Sequence, residues 1–122
     1  MDLIEACKSK DTEKALDLIM NNDTNLDIVD STGRTALIWA CYHGMKEVAL
    51  ELIKTGKSNP DHINKFGLTA FIWACENDMK EVAYELVSIG AFTINELLFL
   101  KLEWVPEELL IMKPVDVTEV DI

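Results

Sequence analysis

DSTGRTALIWACYHGMKEVALELIKTGKSNPDHI (residues 30–63) decides how this chain folds, because the next stretch restates it. NKFGLTAFIWACENDMKEVAYELVSIGAFTINEL (residues 64–97) aligns with it without a gap, and 15 of 34 positions are identical. From Gly33 to Ile53, 14 of 21 positions equal their partners at Gly67 to Val87. Self-similarity at a fixed period marks a stacked repeat, in which each unit buries its apolar face on its neighbour. A fainter copy precedes the pair. Leu3, Ile4, Ala6, Cys7, Glu13, Ala15, Leu16, Leu18 and Ile19 match residues 34 positions later, 9 of the 17 positions from 3 to 19. The chain therefore divides into three units, at about 1–29, 30–63 and 64–91, and the first lacks its opening turn.

Each full unit carries the same order of local signals. Asp30-Ser31-Thr32-Gly33 places Asp first and Gly fourth, the preference of a type I turn. Thr35 follows as the N-cap of a compact helix whose small residues Ala36, Ala40 and Cys41 allow close approach. Asn64 to Gly67 and Thr69 repeat the arrangement. A second helix presents Met45, Val48, Ala49, Leu52 and Ile53 at three- and four-residue spacing, one apolar stripe. Gly56 and Gly90 are placed to end that helix in the left-handed region. In the first unit, Asp2 and Glu5 have capping-box spacing before a short helix. A polar break from Lys8 to Asp11 and a second helix to about Asn22 follow.

These residues resemble the ankyrin repeat. The consensus T-P-L-H-x-A appears as Thr35-Ala36-Leu37-Ile38-Trp39-Ala40 and as Thr69-Ala70-Phe71-Ile72-Trp73-Ala74. Ala stands for Pro and Ile for His in both copies, so the usual imidazole bonds between adjacent turns must be absent or made otherwise. The I-W-A-C wording is similar to ankyrin arrays of large DNA viruses and some protists. The period also suits tetratricopeptide units, but a polar turn ending in Gly before Thr and a first helix of about eight residues favour the ankyrin order. The resemblance covers residues 1–91 and implies an all-α solenoid of three repeats. Residues 92–122 are then expected to form a helical C-terminal cap and acidic tail. Within them, Thr93 and Glu96 have capping-box spacing, residues 97–102 and 106–112 read as helix, and the last residues read as a frayed end.

Composition narrows the function. Eleven basic against twenty-two acidic side chains give a formal charge of −11. Nucleic-acid binding runs on cations neutralising phosphates, so that partner is not expected, nor is an anionic membrane surface. Charged residues directly after Met1 and the lack of a long apolar run predict neither a signal peptide nor a membrane span. Three cysteines fit a reducing, intracellular and cytoplasmic setting, the nucleus remaining open.

Cys7, Cys41 and Cys75 stand one period apart, but stacked helices lie about 8–10 Å apart, too far for three thiols to converge on one ion. They read as small core residues. His43 and His62 have no nucleophile or carboxylate placed by motif, and Glu13, Glu47 and Glu81 read as helix-solvating. No catalytic residue, metal or cofactor is expected. Trp39 and Trp73 share one position and read first as packing within the stack, second as interface anchors.

The resemblance implies a protein partner bound through turn tips and the concave side of the first helices. Position by position this selects Lys8 and Ser9 in the first unit, and Ser31, Thr32, Arg34, Tyr42 and His43 in the second. In the third it selects Lys65, Phe66, Leu68, Glu76 and Asn77. The positions in the second and third units are also where the two best copies differ most. The expected function is non-catalytic protein–protein recognition by a monomer. The alternatives are self-association through the apolar segment 97–112 and, last, a subunit of an enzyme.

Overall fold

A computed structural model describes residues 2–21, 23–64, 67–93 and 95–96. Among these described residues six helices follow in order: α1 (Leu3–Lys8), α2 (Thr12–Met20), α3 (Ala36–Tyr42), α4 (Lys46–Thr55), α5 (Ala70–Glu76) and α6 (Lys80–Ser88). The described residues hold no strand beyond an isolated antiparallel bridge between Val29 and Thr35. None of their helices is long and apolar enough to cross a membrane.

Helices of six to ten residues are too short to persist alone in water, so capping and tertiary packing must hold them. The caps are those the sequence places. Asp2 Oδ1 accepts from Glu5 N at 2.8 Å, Thr35 Oγ1 from Ile38 N at 3.2 Å and Thr69 Oγ1 from Phe71 N at 3.1 Å. The α2 helix starts earlier than its apolar residues suggest, because Asp11 caps it by accepting from Lys14 N. Within every hairpin one residue turns left-handed: Lys10 (φ 63°), Gly44 (φ 70°) and Asp78 (φ 57°). The next amide then closes onto the first helix, Asp11 to Ala6 O, Met45 to Ala40 O and Met79 to Ala74 O, each at 2.8 Å.

The hairpins stack in register. Helix α3 packs between α1 and α5 in one row, and α4 packs between α2 and α6 in the other. Leu37, Val48, Leu52, Phe71, Val82 and Leu86 are fully buried between the layers. Ala40, Ala49, Ala74 and Ala83 are fully buried as well, which lets the backbones approach. Cys7, Cys41 and Cys75 are free and buried in the same core. Burial pushes the Cys7 thiol up to about 12, and it raises Cys41 and Cys75 too, so all three stay protonated and inert.

Ile38 and Ile72 occupy the consensus histidine position and are buried apolar residues. Other groups make the inter-layer bonds. Asn77 Nδ2 donates to Cys41 O at 2.7 Å and to Tyr42 O at 3.0 Å. His62 Nε2 lies 3.0 Å from Gly33 O. A carbonyl only accepts, so that nitrogen is the protonated one.

After the third layer, Glu96 stands three residues beyond Thr93, as Ile38 stands beyond Thr35. Its buried carboxylate accepts from Thr69 N at 2.7 Å, Thr69 Oγ1 at 2.8 Å, Thr93 N at 2.9 Å and Ile72 N at 3.3 Å. Thr93 Oγ1 accepts in return from Glu96 N at 3.0 Å. The expected capping box is therefore formed, and it reaches back to hold the start of α5. Phe92 packs against Phe71, ring centroids 5.6 Å apart. The helices expected over 97–102 and 106–112, and the tail, lie outside the described residues.

Candidate functional site

The turn at 30–33 is built around one carboxylate. Gly33 N donates to Asp30 O at 2.9 Å, and Gly33 takes φ 82°, which glycine adopts freely. Asp30 Oδ1 then accepts from Thr32 Oγ1 at 2.6 Å, Thr32 N at 2.9 Å and Arg34 N at 3.0 Å. Its other oxygen accepts from Trp39 Nε1 at 2.9 Å. Partial burial works against the charged form of Asp30, but these hydrogen bonds outweigh it and lower the carboxyl to about 2. The turn thus fixes the indole of the first helix behind it.

Around Trp39 the chain gathers cations and rings. Lys8 Nζ lies 5.3 Å and the Arg34 guanidinium carbon 5.2 Å from the ring centroid, within cation–π range. His43 stacks on the indole at 5.7 Å with planes 22° apart. Burial and the neighbouring Lys10 lower the pKa of His43, which keeps the imidazole neutral at pH 7. Tyr42 stands edge-on to Trp39 at 5.8 Å and to Trp73 of the next layer at 5.2 Å. It remains 47% exposed, and so presents an aromatic surface bridging two layers.

The third layer keeps the turn and loses the clasp. Asn64 N donates to Leu68 O, and Gly67 N donates to Asn64 O, both at 2.9 Å. Asn64 Oδ1 accepts from Leu68 N at 3.1 Å. A carboxamide has one acceptor oxygen where Asp30 has two, and Trp73 Nε1 is buried with no acceptor among the described residues.

The described residues expected at the site separate into three groups. Lys8, Arg34, Tyr42 and His43 come together on Trp39. Ser31, Thr32 and Glu76 are exposed and Leu68 is half-buried, but Thr32 already serves the turn. Ser9 and Asn77 are exposed yet structurally engaged, Ser9 Oγ with Glu5 O at 2.9 Å and Asn77 as the inter-layer brace. Lys65 and Phe66 lie outside the described residues. Trp39 packs against the core, as its first reading has it, and is also the half-buried centre of the cluster. Lys10, beside His43, is not among the residues the sequence selects; its place at a hairpin tip, next to Lys8 and Ser9, is the signal that points to it. Asp30 was read as a turn former only, since nothing local says that its second oxygen meets a residue nine positions on.

The cluster combines rings, cations and one carboxylate that accepts four hydrogen bonds. Among the described residues no three His, Cys, Asp or Glu side chains group as metal ligands. No curated protein matches the chain. A family model described as ankyrin repeats matches it in three copies over residues 3–96. Repeats of this kind are in general protein–protein interaction modules and typically non-catalytic. Three Thr- or Asp-capped hairpins stacked at a 34-residue period, and a match spanning most of the chain, lead to one assignment: this protein belongs to the ankyrin repeat family.

Proposed function

We propose that this chain recognises a protein partner, without catalysis, through the concave face centred on Trp39 and Tyr42 and the adjoining turn tips. The observation carrying the proposal is Tyr42. It is a half-exposed ring held edge-on by indoles from two layers, so its order is established before binding. Rigid aromatic anchors lose little conformational entropy on docking, which is why they concentrate binding energy. Lys8 and Arg34 add charge at its margin. Residues 1–91 act as the repeat domain and residues 92–122 as cap and tail, in an intracellular monomer.

The test compares capture of partners from cell extract by the natural chain and by a Tyr42→Ala/Arg34→Ala variant, with hydroxyl-radical footprinting of the complex. A partner that protects Tyr42 and Trp39 and is lost with the variant is the expected outcome. A partner retained by the variant, with protection elsewhere, contradicts it. Sedimentation at several concentrations checks the monomer.

A further inference from the structure

Three positions at the end of each first helix recur in every layer. They read Lys8, Tyr42 and Glu76; Ser9, His43 and Asn77; and Lys10, Gly44 and Asp78. All are exposed except the half-buried His43. The same place on the stack is therefore cationic in the first layer, aromatic in the second and anionic in the third. Arg34, the only arginine of the chain, joins the cationic end through its contact with Trp39.

These charges are cancelled only in part. Lys8 forms a long ion pair with Asp30 at 3.9 Å, which sets one carboxylate against the three cations Lys8, Lys10 and Arg34. Among the described residues, Lys10, Arg34, Glu76 and Asp78 form no ion pair. A net charge of −11 would by itself spread negative potential over the molecule. The cationic end is a local reversal of it, and the anionic end is not.

We propose that the concave face takes an extended protein segment of mixed charge with a fixed polarity. Its carboxylates lie over Lys8, Lys10 and Arg34, an apolar or aromatic residue meets Trp39 and Tyr42, and its Lys or Arg side chains lie over Glu76 and Asp78. Stacked helices are about 8–10 Å apart, so the two ends are separated by about 16–20 Å. At about 3.3 Å per extended residue, the acidic and basic parts of the segment stand about five or six residues apart. A uniformly acidic segment would meet like charge at Glu76 and Asp78, and a uniformly basic one at Lys8 and Arg34; like-charge juxtaposition is a strong discriminator against wrong partners. This deepens, and rests on, the recognition proposal above.

The experiment selects binders to the full chain from a displayed library of short random peptides. It then measures affinity by fluorescence anisotropy and orientation with a paramagnetic tag on either peptide end. Enriched peptides are expected to carry acid and base at that separation. The acidic end should broaden signals near Lys8, and affinity should fall about tenfold for Lys8→Gln/Arg34→Gln, weakening further with salt. Thermal melting confirms that the variant is folded, and the exposed Lys10→Gln and Glu76→Gln provide milder checks in the same direction. Peptides of one charge sign, an acidic end over the third layer, indifference to the substitutions, or no enrichment overturn the polarity. If neutral apolar peptides still shift Tyr42 and Trp39, recognition by this face survives without the polarity. If binders map elsewhere, both fall.

Discussion

Replacing Glu96 by Ala removes the group that joins the start of α5 to the residues after the third layer. Four donors lose their acceptor: Thr69 N, Thr69 Oγ1, Ile72 N and Thr93 N. Each buried polar group left without a partner costs about 1–3 kcal/mol. Relief from burying a charge offsets part of this, as does water reaching the site, so the net loss is set at about 2–4 kcal/mol. That is a large share of the roughly 5–15 kcal/mol typical of a domain. Urea denaturation gives the free energy, and amide exchange locates the damage. Thr69, Ile72 and Thr93 should exchange faster, while α1 and α2 amides follow only the global change. Glu96→Gln keeps one acceptor but turns an NH2 toward donors, so it should fall between the natural chain and Ala. A loss below about 0.5 kcal/mol, or unchanged protection at Thr69 and Ile72, would refute the reasoning. The pH dependence has a definite sign. Burial raises the Glu96 pKa against the pull of its four hydrogen bonds. The part of its contribution linked to ionisation is therefore complete below the ordinary Glu value of about 4.3 and is lost as pH rises through the folded pKa.

Asp30 has the opposite sign. Its pKa is lowered to about 2, so its contribution is present above the ordinary Asp value of about 3.9 and is lost as pH falls toward 2. Acid titration of Asp30→Asn, followed by Trp fluorescence, should lack that component. Asn77→Ala removes the brace to Cys41 O and Tyr42 O and should cost about 1 kcal/mol by denaturation. Ser58 is fully buried with its hydroxyl unpaired among the described residues. Ser58→Ala should therefore raise stability by up to about 1–2 kcal/mol, read as a higher urea midpoint. The three cysteines should resist a thiol reagent in the native state and react at the rate of unfolding.

Much of the fold was legible because the repeat compares the sequence with itself. Positions that hold the scaffold recur: Thr35 and Thr69 both cap a first helix, and Ala40 with Ala74 and Leu52 with Leu86 are buried alike in successive layers. What could not be read was any bond joining distant positions. The Ile at the consensus His place announced a missing tie, but not that Asn77, His62 and Glu96 would supply replacements from other parts of the chain. Glu96 was seen as a local capping residue, since capping boxes are read from neighbours, whereas its reach to Thr69 depends on stacking. The site was legible in part for the same reason. Arg34, Tyr42 and His43 stand out as divergent positions on the face that the resemblance implies, and Lys8 as the matching position of the first unit. Trp39 reads first as stack packing because tryptophan is usually largely buried, although a repeating residue can be both scaffold and surface when it lies at the edge of the stack.

The most direct measurement is an aromatic NOESY spectrum of the chain in solution. Consecutive layers sharing one concave face require the Tyr42 ring to show cross-peaks to both the Trp39 and the Trp73 indole, with Asn77 amide protons close to Tyr42. A Tyr42 ring that reports on Trp39 alone, with Trp73 in separate surroundings, would contradict the stack and with it the recognition surface.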